Sequence, residues 1–166
     1  MLFRSNVIGP LVNPAGALRQ VIGVWDERLL MPVAETLAAM GAAQAMVLHA
    51  TDGLDEVSVS APTRFVRVDR GSVTDEGLLE PEMFGLATHA APPERARTLA
   101  EAVSIATALL EGRDAGARRD MLVANAAVAI VVSGHRLSWR DAAGMARDLL
   151  DSRRTLQLLE RLTTPR

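Results

Sequence analysis

At 166 residues the chain has the size of one ordinary domain, long enough to bury a real hydrophobic core. Its 49% hydrophobic and 23% charged residues are a globular balance that excludes disordered and membrane-like compositions. A net charge of −2 and 3% aromatic residues argue against nucleic-acid binding, which draws on excess cations for counterion release and on rings for stacking.

In chain order, residues 5–19 read as an irregular loop, with the turn signals Gly9-Pro10 and Asn13-Pro14-Ala15-Gly16. The apolar run 21–25 reads as a short strand, and Asp26 can cap a helical segment that runs to about Met40 and stops at Gly41. Pro32 lies inside that segment, so either its first turn is separate or the helix begins near the proline. A buried strand at 44–49 follows, which makes a strand–helix–strand unit and predicts parallel pairing. Residues 57–60 and 64–68 alternate apolar and polar side chains as half-exposed strands do, 69–72 is a tight turn, and 71–92 is mostly loop.

Beyond Pro93 the pattern becomes helical. Leu99, Val103, Ala106 and Leu110 share one helix face that ends at Gly112. A second helix, 116–133, is apolar nearly all round and is expected to be deeply buried. Ser138 with Asp141 three residues on resembles a capping box that opens a third helix to Leu150, and a fourth covers 153–162. The expected fold is therefore α/β, a partial and mostly parallel sheet with flanking helices and a helical C-terminal half. Two or three parallel strands make a poor sheet alone, so the chain reads as part of a larger α/β unit. Its longest apolar run, 121–133, is too short to span a bilayer. With no apolar leader pattern and no cysteine, a cytoplasmic location is expected.

The chemistry open to the chain is narrow. It contains no cysteine, no lysine and no tyrosine, which removes thiolate nucleophiles, cysteine-ligated zinc, Schiff bases and a phosphate-loop lysine. Asp55 and Glu56, with Asp52 nearby, follow a buried strand, at the strand end where open α/β sheets bind ligands. Two or three hard oxygen ligands there suit magnesium with waters and phosphate oxygens; a polar turn whose acids only cap and solvate is the competing reading. The loop around Asn6, Gly9 and Pro10 is preset by its glycine and prolines and can bring backbone N–H groups close to a ligand, or be an ordinary surface turn. Asn125, in the most apolar helix, is expected to serve helix packing. The arginines at 64, 67 and 70, and at 118 and 119, have acidic neighbours and read as solvated faces.

Taken together these motifs resemble anthranilate phosphoribosyltransferase. The resemblance rests, in order, on Asn6-x-x-Gly9-Pro10-Leu11-x-Asn13-Pro14-Ala15, on Gly23-Val24 ahead of a helix, and on His49-x-x-Asp52-Gly53-Leu54-Asp55-Glu56-Val57-Ser58. Pro81-Glu82-x-Phe84-Gly85-Leu86, Arg119-Asp120-x-x-x-x-Asn125-Ala126-Ala127 and 138–152 continue it. It implies a fold like that of the nucleoside phosphorylases and phosphoribosyltransferases. It also implies transfer of a phosphoribosyl group from phosphoribosyl pyrophosphate to anthranilate in tryptophan biosynthesis, by a homodimer. By the same resemblance Asp55 and Glu56 bind Mg2+ carrying the pyrophosphate, and no residue here acts as a covalent catalyst. Family features that precede this stretch, a glycine-rich loop, a lysine-containing segment and a helical N-terminal domain, are missing from it. Residues 1–5 depart from the family pattern, and 88–97 replace its Gly-Gly-Asp segment. The expectation is a single truncated C-terminal α/β domain over 1–166, with poor substrate binding and no measurable transferase activity by itself. A non-catalytic relative used for ligand or nucleic-acid binding, and a nucleoside phosphorylase, are the alternative readings.

Overall fold

The computed structural model describes Gly9, Leu11, Val12 and residues 15–163. Four strands, β1 (Arg19–Gly23), β2 (Gln44–Ala50), β3 (Thr63–Asp69) and β4 (Ser72–Leu79), form one sheet in sequence order. The first crossover is as the sequence predicts: β1 and β2 pair in parallel, joined by a 3-10 turn at Glu27–Leu29 and helix α1 (Leu30–Ala39). The 3-10 turn is separate from α1 and carries its own cap, with Asp26 accepting a hydrogen bond from the Arg28 N–H at 3.0 Å.

The α/β class holds, but the sheet is mixed rather than mostly parallel. β3 runs antiparallel to β2, and β4 antiparallel to β3. The cause is connection chemistry. Parallel return needs a crossover, usually helical, and the chain from Ala50 to Thr63 contains no helix, so it can only fold back. Between β3 and β4 stands a two-residue turn, Arg70 (φ 47) and Gly71 (φ 72), the double left-handed geometry that closes a tight hairpin. Hence residues 72–79 are a strand, not the loop their polar run suggests. Residues 57–60 are the converse case: they alternate like a strand but pair with nothing in the sheet, and Val57 and Val59 are buried as an irregular strap.

Each face of the sheet is covered. On one, Ile22, Val24, Ala45, Val47, Val66 and Val68 pack against Leu30, Val33, Ala34 and Leu37 of α1. On the other, Met46, Leu48, Phe65 and Leu79 meet helices α3 (Ala117–Val132) and α4 (Trp139–Asp151). Those two helices approach through Ala124, Ala127, Ala142, Ala143 and Ala146, whose small side chains let the helix surfaces meet closely. Ser138 caps α4 as predicted, accepting from the Asp141 N–H at 3.1 Å. Pro81–Phe84 forms a 3-10 turn that ends at Gly85 in the left-handed region, and Phe84 lies 5.8 Å from the Trp139 ring. Arg147 of α4 holds the turn by donating to the Phe84 carbonyl at 3.0 Å.

Helix α2 (Leu99–Leu110), capped by Thr98, departs from its expected role. Its predicted core face looks largely outward: Leu99 is 82% and Val103 57% exposed, and no residue of α2 is buried. Helix α5 (Arg154–Thr163) is likewise unburied, with Leu162 at 74%. Among the described residues no helix is long and apolar enough to cross a membrane.

Candidate functional site

β1 and β2 end side by side, and the loop 51–62 leaves β2 at this end of the sheet. Asp55 and Glu56 sit on that loop, both exposed and without a hydrogen-bond or ion-pair partner among the described residues. Everything around them is tied down. Asp52 Oδ2 accepts from the Ser58 hydroxyl at 2.6 Å and the Ser60 hydroxyl at 2.8 Å, which ties that oxygen into the loop. The Thr63 hydroxyl accepts from the Ser58 N–H at 3.0 Å, and the Ala50 N–H donates to the Leu54 carbonyl at 2.9 Å.

Two contacts lock this loop to the domain. The first is Asn125, whose side chain both accepts from the Val57 N–H (2.9 Å) and donates to the Val57 carbonyl (3.0 Å), and also donates to the Met121 carbonyl. A helix side chain thus pairs with the backbone immediately after Glu56. Asn125 therefore does pack the helix, as expected, and also fixes the frame of the acidic pair. The second is Gly23, the last residue of β1. A Cβ there would overlap the carbonyl oxygen of Asp55 outright, so only glycine lets the loop seat on the strand end. Sequence reasoning noted Gly23-Val24 only as a motif; the contact that requires glycine spans 32 positions and has no local signature.

Two of the three histidines, His49 and His89, are structural in their contacts. His49 Nδ1–H donates to the Val24 carbonyl at 2.8 Å, tying the ends of β1 and β2. His89 pairs through Nε2 with Asp120 at 2.8 Å, while its backbone N–H donates to the Val59 carbonyl. The Arg119-Asp120 motif is thereby divided, since Arg119 pairs with Asp151 at the end of α4. Of the Asn6–Gly9–Pro10 candidate, Asn6 and Pro10 lie outside the described residues, and Gly9 is exposed.

Of the three acids that spacing brought together, Asp52 thus turns one oxygen into its own loop, while Asp55 and Glu56 keep both oxygens unpaired among the described residues. No group of three or more histidine, aspartate or glutamate side chains poised around one point occurs among the described residues. Two unpaired hard-oxygen ligands on a solvent-facing rim suit an ion that keeps most of its water and takes further oxygens from a phosphate.

A mixed sheet covered on both faces, with free carboxylates beyond the carboxyl ends of its parallel strands, defines an α/β domain with a candidate site at that end. Residues 4–156 match the family described as "Glycosyl transferase family, a/b domain", and the chain belongs to that family. Within it, the similarity runs to anthranilate phosphoribosyltransferases. The chain is 40% identical over 156 residues to the enzyme of Rubrobacter xylanophilus and 44% identical over 149 residues to that of Azorhizobium caulinodans. Those matches cover 94% and 89% of this chain but 45% and 42% of the relatives, so the chain spans under half the length of these relatives. Among solved structures, that of the Thermus thermophilus enzyme superposes with a TM-score of 0.82 at 34% identity, over 93% of this chain and 45% of that one. The Saccharomyces cerevisiae enzyme in complex with phosphoribosyl pyrophosphate (PRPP) and Mg gives 0.78 at 25% identity, over 92% and 44%.

Proposed function

We propose that the chain is part of an enzyme that transfers a phosphoribosyl group from PRPP to the amine of anthranilate, with Asp55 and Glu56 facing a magnesium ion on the pyrophosphate. The observation that carries this reading is a carboxylate pair left without partners, among the described residues, on a loop that is otherwise bonded throughout. A family relative solved with PRPP and Mg supports the choice of ligand.

In this reaction the amine lone pair forms a bond to the anomeric carbon of the ribose. The bond from that carbon to the pyrophosphate oxygen breaks, its electrons leave on the pyrophosphate, and the amine sheds a proton. A bound magnesium ion offsets the negative charge of the departing pyrophosphate. The residues of this chain hold that end of the substrate still: Asn125 and Gly23 fix the loop, and the loop fixes the carboxylates. No side-chain nucleophile is invoked, in keeping with a chain that has neither cysteine nor lysine.

Because the relatives are more than twice as long, we assign the 166 residues to one α/β domain of such an enzyme, a cytoplasmic homodimer. This stretch by itself is expected to bind PRPP weakly and to turn over no anthranilate. Calorimetric titration with PRPP, with and without Mg2+, tests both parts. Weak, magnesium-dependent binding that disappears in Asp55→Asn/Glu56→Gln supports the reading; identical binding by the variant sinks the site. Measurable loss of anthranilate on mixing the chain with both substrates would contradict the fragment assignment.

A further inference from the structure

Helix α3 grips the chain after Glu56 twice. Asn125 takes both backbone groups of Val57 directly. Two residues on, the Val59 carbonyl accepts the backbone N–H of His89 at 2.8 Å, and the His89 ring bonds through Nε2 to Asp120 at 2.8 Å. Facing an ionised carboxylate, Nε2 carries the proton. Val57 and Val59 are at most about 7 Å apart along the chain, and Asn125 and Asp120 are about 7.5 Å apart along their helix. Five residues also turn a helix by about 140°, so Asp120 points well away from the line of Asn125. His89 spans that difference.

The His89 ring is what keeps this second grip in place. Residues 85–98 contain no helix or strand, so no ladder or helical bonding holds position 89. The same segment touches the start of α3 once more, where Arg118 Nη2 donates to the Glu94 carbonyl at 3.4 Å, a longer and more exposed bond. The His89 and Asp120 side chains are only 26% and 25% exposed, and a hydrogen bond to an ionised acceptor is strengthened by such partial exclusion of water. Val59 is fully buried, so its carbonyl depends on a donor that the fold delivers. The two carboxylates therefore lie between fixed points: the Asp55 carbonyl seated on Gly23 before them, and Val57 to Val59 tied to α3 after them.

We propose that His89 is a positioning residue for the metal and pyrophosphate at Asp55 and Glu56. Asp120 holds its ring, its backbone N–H holds Val59, and the stretch so held sets the direction in which the carboxylates leave the loop. The role rests on the proposed function of the acidic pair.

Two substitutions and two readouts test it. His89→Ala removes the ring, and His89→Gln keeps an N–H donor within reach of Asp120. Amide hydrogen exchange of the ligand-free 15N-labelled chain reads the loop without any metal. The Val57 and Ser58 amides should exchange about tenfold faster in His89→Ala and at the wild-type rate in His89→Gln, with β2 amides unchanged in both. Mn2+ binding with pyrophosphate, read by electron paramagnetic resonance, should weaken about threefold or more in His89→Ala and recover in His89→Gln. Added to Asp55→Asn/Glu56→Gln, His89→Ala should weaken binding no further. If His89→Ala does not fold, Asp120→Ala, which leaves the ring without its acceptor, is read in the same way. Unchanged exchange at Val57 and Ser58, faster exchange shared by β2, no recovery in His89→Gln, or undiminished Mn2+ binding where Asp55→Asn/Glu56→Gln loses it would each overturn the role. Wild-type binding by Asp55→Asn/Glu56→Gln would instead sink the proposed site, and the role with it.

Discussion

Loop 51–62 and helix α2 reverse the usual ranking of loops and helices. The loop has little regular structure, yet Val57, Ser58 and Val59 are buried and its backbone and hydroxyls bond to Asn125, Asp52 and Thr63. The helix is well formed and well capped, yet none of its residues is buried. Regular hydrogen bonding within a segment does not by itself anchor that segment; buried contacts and bonds to the rest of the domain do. Chemistry that needs fixed geometry is accordingly expected on the loop, where it costs no rigidity to leave two carboxylates unpaired.

The contrast can be broken at the loop first. Gly23→Ala pushes a methyl group into the Asp55 carbonyl, a backbone overlap that no side-chain rotation relieves, and should cost about 3 kcal/mol of unfolding free energy. Urea unfolding of the full chain measures it; a loss within experimental scatter would mean that the loop is not seated on β1. Next in size is Asn125→Ala, which strands the Val57 N–H and carbonyl and should cost about 2 kcal/mol in the same assay. At the other pole, Leu99→Gln on α2 should change stability by no more than about 0.5 kcal/mol, since the side chain is already in water. A cost like that of Asn125→Ala would show that α2 is anchored by contacts other than those described.

The smallest effect concerns acid. Arg28, hydrogen-bonded to Asp26, lowers the Asp26 pKa from 3.8 to about 2. A lowered carboxylate pKa gives stability that is complete above the unfolded value and is lost as pH falls through the folded one. The contribution of this cap should therefore fade between about pH 4 and pH 2. Asp26→Asn, compared with wild type by thermal melting across that range, should flatten only this part of the profile, and identical profiles would remove the pair from the account.

Local patterns announced much of the fold. The β1–α1–β2 crossover, the Asp26 and Ser138 caps and the turn at Arg70-Gly71 all have short-range signatures and all occur. Strand β4 was hidden because it is an edge strand whose polar side chains face solvent, with Gly77 at the point where the Phe65 ring sits against it. The alternation at 57–60 reflects burial of Val57 and Val59 beneath α3, which mimics the period of a strand without a partner. For α2, periodicity correctly gave a helix but misjudged which way its apolar face points, since the period carries no information about what lies opposite.

The candidate site was legible in its acids and not in its supports. Adjacent carboxylates after a buried strand are visible within a short window of sequence. The bonds from Asn125 to Val57 and the Gly23 contact with Asp55 join positions 68 and 32 residues apart, and nothing in either neighbourhood marks them. Asp52 is a different case: spacing placed it near the pair, and two serine hydroxyls both bond its Oδ2, a pairing that spacing does not reveal.

The most direct test of the central claim is Mn2+ binding in the presence of pyrophosphate, followed by electron paramagnetic resonance on the folded chain. Mn2+ substitutes for magnesium at oxygen sites and is counted without any turnover. Wild type should bind at least about tenfold more tightly than both Asp55→Asn/Glu56→Gln, which lacks the ligand charges, and Gly23→Ala, which keeps them but displaces their loop. Equal binding by all three would contradict the account.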